Sequence, residues 1–438
     1  MLHGEGAGRP LGLHGLEEGG KAGLRQRTLG LHVILPRCPR SSDRGGCRLR
    51  PAGHVESEEH STSRNRGDRV DRTGNPMINP VPANRPAPPV AGAAAEWDTA
   101  LRAWPRAHLL QTHGWGEVQA AAGWQPHLLR VEVGGRLLPV LALAGDAVLP
   151  GLPPRLWVPK GPACGADDTD AWQAAAAALT ELAASLGAAS VEIEPNAWEA
   201  EADALLRALG GPWRRGLGRE PASTAVVDLR GGWEAVLAGM RPQGRRNVRL
   251  AERRGVDVGD LDGDAAVATL ARMASETASR QGIALPGAAH YRRVLAAVPS
   301  ARVHVARVEG EVVAAVLAAA FAAEAIYLYG GSTLQHRERQ PSAAVHAHVM
   351  RGAIASGCER YDLWGIPPDA DPLHPWHGLR QFKLALGGVE MKTAGAAIWT
   401  RRPVLVRAIE VATAARAGVR RARRRLRVER RVGRQDFA

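Results

Sequence analysis

The chain has 438 residues, 45% of them hydrophobic, enough for two or three domains with substantial cores. Its net charge of +13 is uneven: residues 401–438 hold 13 Arg against 3 acidic residues, residues 1–76 hold 13 basic against 9 acidic, and the stretch between is close to neutral. The basicity therefore belongs mainly to a tail, which suits local contact with RNA phosphates or an acidic membrane surface. No apolar run approaches the roughly 20 residues that span a bilayer, and the N-terminus lacks the order of a secretory signal. The four cysteines, Cys38, Cys47, Cys164 and Cys358, form no CxxC and no Cys/His spacing of a zinc site, so unpaired thiols, no metal and a cytoplasmic setting are expected.

Residues 1–76 are rich in Gly, Arg, Ser and His without a sustained period, and disorder is expected there. A second Met stands at Met77, ahead of a Pro/Ala linker, and translation is expected to start there, which would make residues 1–76 an artefact of the gene model. Residues 97–122 read as helical, with a turn through His113-Gly114-Trp115. HLLRVEV (127–133) and RLLPVLALAG (136–145) read as a hairpin around Gly134-Gly135. The Ala-rich stretch 170–187 reads as a helix stopped by Gly187, 190–195 as a strand, and 203–211 as a short helix. A similar order follows: strand 223–229, helix 231–240, basic helix 245–255, helices 264–282 and 288–298, strands over 301–331, helix 342–357 and strand 360–365. Residues 389–400 read as a strand or hairpin. An Arg-dense amphipathic helix candidate follows, suited either to solvent or to anionic partners.

Two segments carry the chemistry. The first is RPQGRRNVRLAERRGV (241–256). The second is YDLWGIPPDADPLHPWHGLRQFKLALGG (361–388), in which Lys383 is one of only four lysines in an Arg-biased chain. Both resemble elements of the Fem family of peptidoglycan bridge-forming aminoacyltransferases, which take an amino acid from a charged tRNA to a cell-wall precursor. The resemblance extends to LLQTHGWGEVQ (109–119), WVPKGP (157–162), VEIEP (191–195), TASRQGI (277–283) and YLYGGS (327–332), and covers roughly 97–400. It implies an α/β fold of tandem GNAT-like domains, compact and without a coiled-coil arm. The expected organisation is an extension and linker at 1–96, GNAT-like domains at 97–218 and 219–392, a strand at 393–405 returning to the first domain, and an Arg-rich helix or tail at 406–438.

By the same resemblance Lys383 would meet the oxyanion of ester aminolysis or contact the acceptor. Trp115, Lys160, Glu194, Arg245, Arg246, Asn247, Arg280, Tyr329, Asp362 and Phe382 would bind substrate. Gln119, Gln281, Ile283 and Leu386 depart from the family pattern, and Glu194 stands where the family has Asp. His374 and His377 lie in a Pro/Gly loop with no acidic partner at fixed spacing and are not assigned as bases. The implied partners are an aminoacyl-tRNA donor and a UDP-MurNAc-peptide or lipid II acceptor, with an anionic membrane surface reached through 401–438 and no cofactor. The implied setting is the cytoplasm, with peripheral attachment at the inner membrane face. Two alternatives stay open: a GNAT-type acyl-CoA N-acyltransferase, with QTHGWGE (111–117) matching the spacing of an acyl-CoA loop, and a non-enzymatic RNA or membrane-surface binder.

Overall fold

The computed structural model describes residues 92–145, 152–216, 218–281, 285–367, 374, 376–408 and 411. The expectations for 1–76, for Met77 and for most of the Arg-rich tail lie outside the described residues. The chain runs α1 (Ala93–Arg102), α2 (His113–Ala121), β1 (Gln125–Val133), β2 (Arg136–Gly145), β3 (Arg155–Pro159), α3 (Thr169–Ser185), β4 (Ser190–Glu194), α4 (Ala202–Leu209) and β5 (Arg214–Gly216). It continues through β6 (Ser223–Asp228), α5 (Gly232–Gly239), α6 (Pro242–Arg253), β7 (Asp257–Leu261), α7 (Gly263–Gln281), α8 (Ala288–Ala297), β8 (Arg302–Val308), β9 (Glu311–Phe321) and β10 (Glu324–Ser332). The last elements are α9 (Pro341–Ala355), β11 (Arg360–Gly365), α10 (His377–Ala385), β12 (Val389–Lys392) and β13 (Ala396–Thr400).

These strands make two sheets, ordered β1-β2-β3-β4-β13-β5 and β12-β6-β11-β10-β9-β8-β7. Each contains one parallel pair joined through a helix: β3 and β4 across α3, and β10 and β11 across α9. Every other pairing is antiparallel. The repeated strand–helix–strand unit is the physical content of the echo between the two halves of the sequence, and the architecture is the expected mixed α/β one.

Local chemistry explains most boundaries. Asp168 caps α3 by accepting a hydrogen bond from the Ala171 N–H. Thr112 caps α2 in the same way, through Trp115 N–H. That cap corrects the expected turn at His113–Trp115, because those residues form the first turn of a helix. The expected strand or hairpin at 389–400 also resolves differently. β12 pairs with β6 in the second sheet, while β13 crosses to the first and lies between β4 and β5. The bend between them is too open for a hairpin. The basic helix begins at Pro242, three residues earlier than expected, since Pro is favourable in a first helical turn.

Alternation along β9 builds two cores. Ala315, Leu317 and Ala319 face a core shared with the first sheet, α7 and α8, while Ala314, Val316 and Ala318 face a second core beneath α9. The shared core runs without a break from Trp97 and Leu141 to Tyr291 and Ile326. Burying one such aliphatic side chain stabilises the fold by about 1.5–3 kcal/mol. The two halves meet where α2 crosses α8. Gly114 permits this contact, because a Cβ there would sit 1.9 Å from the Ala297 carbonyl oxygen. Cys164 and Cys358 are buried and free. Among the described residues no helix is long and apolar enough to cross a membrane.

Candidate active site

Lys383 lies on α10 and is 3% exposed. Its ammonium donates to the carbonyls of Gly365 (2.9 Å) and Trp364 (3.3 Å), and it stands 5.4 Å from the centre of the Tyr327 ring. Those carbonyls are presented by an irregularity at the end of β11, where the register with β6 shifts between Asp362 and Gly365 and Trp364 takes a φ of +65°. Such a conformation is costly for a tryptophan and persists because its surroundings enforce it. Asp362 holds the bend: its Oδ1 accepts from the Trp364 N–H (2.7 Å) and from the Thr224 hydroxyl. Burial lowers the Lys383 pKa to about 7, and the nearby Asp362 carboxylate partly opposes that shift. His346 on α9 is driven down to about 3 by burial and by Lys383, so it is neutral near pH 7; its Nδ1 shares a hydrogen bond with Tyr361 Oη at 3.0 Å. Phe382 packs edge-on against His346, with centroids 5.6 Å apart.

The helix carrying Lys383 is tied to the basic helix. The Ala385 carbonyl accepts from the Arg241 N–H (3.1 Å), and Gly244 of α6 packs so closely that a Cβ there would be 1.9 Å from the same oxygen. The two distant segments singled out in the sequence are therefore neighbours. α10 ends in the Gly387-Gly388 bend, where Gly387 has a φ of +91° and the Gly388 N–H returns to the Lys383 carbonyl (3.2 Å).

A second buried charged region lies between the sheets, at the carboxyl end of the β3–β4 pair. Lys160 and Glu194 are 5% and 4% exposed. Glu194 accepts from Trp157 Nε1 (2.7 Å) and from the backbone N–H groups of Arg219 and Glu220 (2.8 Å each). Both its oxygens are thereby occupied in fixing the 218–220 segment. Glu192 pairs with Arg219 at 3.0 Å. From the second sheet comes Glu324, paired with Arg360 at 2.8 Å, and from the segment between α1 and α2 comes His108, with its Nε2 3.6 Å from Glu324. Burial and the Glu194 charge push Glu220 up to about 8; Lys160 opposes the shift and Asp362 adds to it. Burial raises the Tyr329 phenol, with smaller pushes from Tyr291 and the Glu220 charge, and its oxygen is 2.9 Å from His290 Nε2. Asp362 thus acts on the Lys383 chamber on one side and on this seam on the other. The carboxyl ends of parallel strands are where ligands bind in open α/β sheets.

Lys160, Glu194, Tyr329, Asp362, Phe382 and Lys383 are thus gathered into one connected region, and the other candidates are not. Arg245 departs from the expected phosphate-facing surface: its guanidinium donates inward to the carbonyls of Ala238 (2.9 Å) and Met240, bracing the α5–α6 corner. Arg246 is exposed, and Asn247 accepts from Gln243 on its own helix. Arg280 donates to the Ser332 carbonyl (3.1 Å) and borders an open groove of about 750 Å³ with Thr333, Leu334 and Gln335. Trp115 is a core residue, 5% exposed, whose indole N–H has no partner among the described residues. His374 accepts from the Trp376 N–H, and His377 opens α10.

Sequence reading passed over Glu220, Glu324, Arg360 and His108. None sits in a recognisable spacing, and only folding brings them together. The one available signal was Glu220 itself, an acidic residue three positions ahead of β6, a strand buried along most of its length. The acyl-CoA loop spacing at 111–117 is spent on packing. The Gln111 side chain bonds Leu141 and Pro159 backbone groups, and Gly114 meets α8.

Comparison with known proteins bears on the family and the fold. The FemAB family model matches residues 214–309 and 300–414, which contain both signature segments. The crystal structure of FemX matches with a TM-score of 0.66 at 19% identity, covering 72% of this chain and 98% of that one. L-PGS from Bacillus licheniformis matches at a TM-score of 0.46 and 15% identity, covering 70% of this chain and 91% of that one. A tandem GNAT protein from the clavulanic acid biosynthesis pathway matches at 0.34 and 15% identity, covering 61% and 81%. No curated protein matches the sequence. The FemAB match falls on the stretch that holds α6, α10 and their contact, and it supports a place for the chain in the Fem family.

Proposed function

We propose that this chain is a transferase that moves an aminoacyl group from aminoacyl-tRNA to the peptide stem of a peptidoglycan precursor. The observation that carries the reading is Lys383, a buried cation held by two backbone carbonyls at the end of β11 and watched by Asp362. An aminoacyl ester is already activated, so the reaction requires positioning and charge stabilisation more than acid–base strength. The neutral amine of the acceptor attacks the ester carbonyl, and a C–N bond forms. The electron pair displaced onto oxygen creates an oxyanion, which Lys383 stabilises as its ammonium. Collapse breaks the C–O bond, and the ribose hydroxyl leaves with the proton given up by the amine. Lys160, Tyr329 and the carbonyl-rich bend at Trp364 supply donors and acceptors for orienting the two substrates. Exposed arginines of α6, and the arginine-rich composition of 401–438, suit the phosphates of tRNA, of the acceptor or of an anionic membrane surface.

The acyl-CoA alternative has less support, because the segment with the matching spacing is committed to the core. The test is an in vitro transfer assay with a panel of charged tRNAs and two acceptors, a UDP-MurNAc-peptide and lipid II. Transfer by the wild type, lost in a folded Lys383→Ala variant, supports the proposal. Absence of transfer from every charged tRNA, with turnover of acyl-CoA instead, rejects it.

A further inference from the structure

On the far edge of the second sheet, away from the proposed chemistry, three side chains converge on one point. Asp260 of the edge strand β7 stands directly opposite His304 of β8, and His348 comes down from α9. His304 Nδ1 lies 2.6 Å from Asp260 Oδ1, and His348 Nε2 lies 3.2 Å from the same oxygen. The two rings meet edge to face at 5.5 Å. All three ligand-type atoms lie within 4.8 Å of one another. The side chains are 46%, 15% and 34% exposed respectively, so the cluster is anchored yet reachable from solvent.

We infer that Asp260, His304 and His348 form a binding site for a divalent transition-metal ion of the Zn2+ type. Two imidazoles and a carboxylate are an established donor set for such an ion, at bond lengths of about 2.0–2.2 Å. Ligand atoms around a tetrahedral centre of that size are roughly 3.3 Å apart. The two separations to the Asp260 oxygen lie at or below that value, and all three atoms stay within 4.8 Å, so small rotations of the side chains bring them onto one ion. The fourth position faces solvent and would be taken by water. The site would tie the unpaired edge strand β7 to α9, on the helix that also carries His346 of the lysine chamber.

The test is isothermal titration of the chelator-treated full chain with Zn2+, alongside the ligand-field absorption of bound Co2+ and thermal unfolding with and without Zn2+. Histidines and Cys38 and Cys47 in the N-terminal extension also bind such ions, so the reading is the difference between the wild type and variants. Wild type is expected to bind one more ion than H304Q/H348Q. The Co2+ band should be lost in that variant, and Zn2+ should raise the unfolding midpoint of the wild type alone. The near-isosteric D260N, which keeps the fold should the double variant not, is expected to lose at least about tenfold in affinity for this ion. Equal stoichiometry, equal spectra and equal Zn2+ shifts in wild type and either folded variant would overturn the assignment.

Discussion

The lysine chamber and the carboxylate seam solve one problem with opposite signs. Burial disfavours charge of either kind, so it drives Lys383 down to about 7 and Glu220 up to about 8. The chamber surrounds its cation with carbonyl dipoles, a tyrosine face and a neutral histidine. The seam gathers Glu192, Glu194, Glu220 and Glu324 and repays part of the cost with backbone N–H donors, Arg219 and Arg360. The difference teaches that a group can be buried to be tuned or buried to brace, and that its partners tell which. Among the described residues Lys383 has two hydrogen-bond partners for three N–H groups, whereas both oxygens of Glu194 are occupied.

The comparison can be broken most decisively at Lys383. Lys383→Ala should lower transfer by about 10²–10³-fold, as loss of one oxyanion donor does, with the circular dichroism spectrum unchanged. A variant with full turnover would make the lysine a brace like Glu194. Gly244→Ala tests whether the chamber depends on its contact with the basic helix. The added Cβ meets the Ala385 carbonyl and should cost about 1–3 kcal/mol, read as a lower denaturation midpoint and weaker transfer.

The two regions should also answer to pH in opposite directions. The folded-state pKa of Lys383 is depressed from 10.5, so its contribution to stability is fully present above pH 10.5 and is lost as pH falls to about 7. Glu220 is raised from 4.5, so its contribution is present below pH 4.5 and is lost as pH rises through about 8. Glu220→Gln should therefore stabilise the protein at pH 8, by on the order of 1 kcal/mol, and by less at pH 5. Urea melts at the two pH values check this, and an equal effect at both would remove the seam from the explanation. The smallest effect is expected at the surface. Arg246→Ala should reduce affinity for tRNA a few-fold and lower the salt-dependence slope by about 1 if that arginine meets a phosphate. A slope equal to that of wild type would leave Arg246 as a solvated charge.

Much of the fold was legible because its signals are local. The β1–β2 hairpin announced itself through alternation around Gly134-Gly135, and α3 through an alanine run ending at Gly187. The short strand β3 carries no strand signal of its own, since WVPKGP runs into Gly and Pro, and only its pairing with β2 and β4 makes it a strand. β13 resembled half of a hairpin for a similar reason. Its partners, β4 and β5, lie 180 to 210 residues earlier in the chain. Lys383 was visible as a lone lysine in an arginine-rich chain. Glu220, Glu324 and the Asp260–His304–His348 group were not, since each acquires meaning only from neighbours remote in sequence. Arg245 shows the reverse failure: helical spacing placed it beside Arg249 and Arg253, but not the carbonyls that turn it inward.

The placement of β13 has a consequence for how the protein is made. It is an interior strand of a sheet whose other members are all synthesised before residue 217, and it emerges from the ribosome only after the whole second sheet. Until then β4 and β5 have an empty lane between them, and the early half of the molecule must wait, incomplete, for the late half. A release of the nascent chain before Ala396 would leave the first sheet without its interior strand although every strand of the second is made, so the early half cannot be harvested as a free-standing fragment by cutting the gene between the sheets.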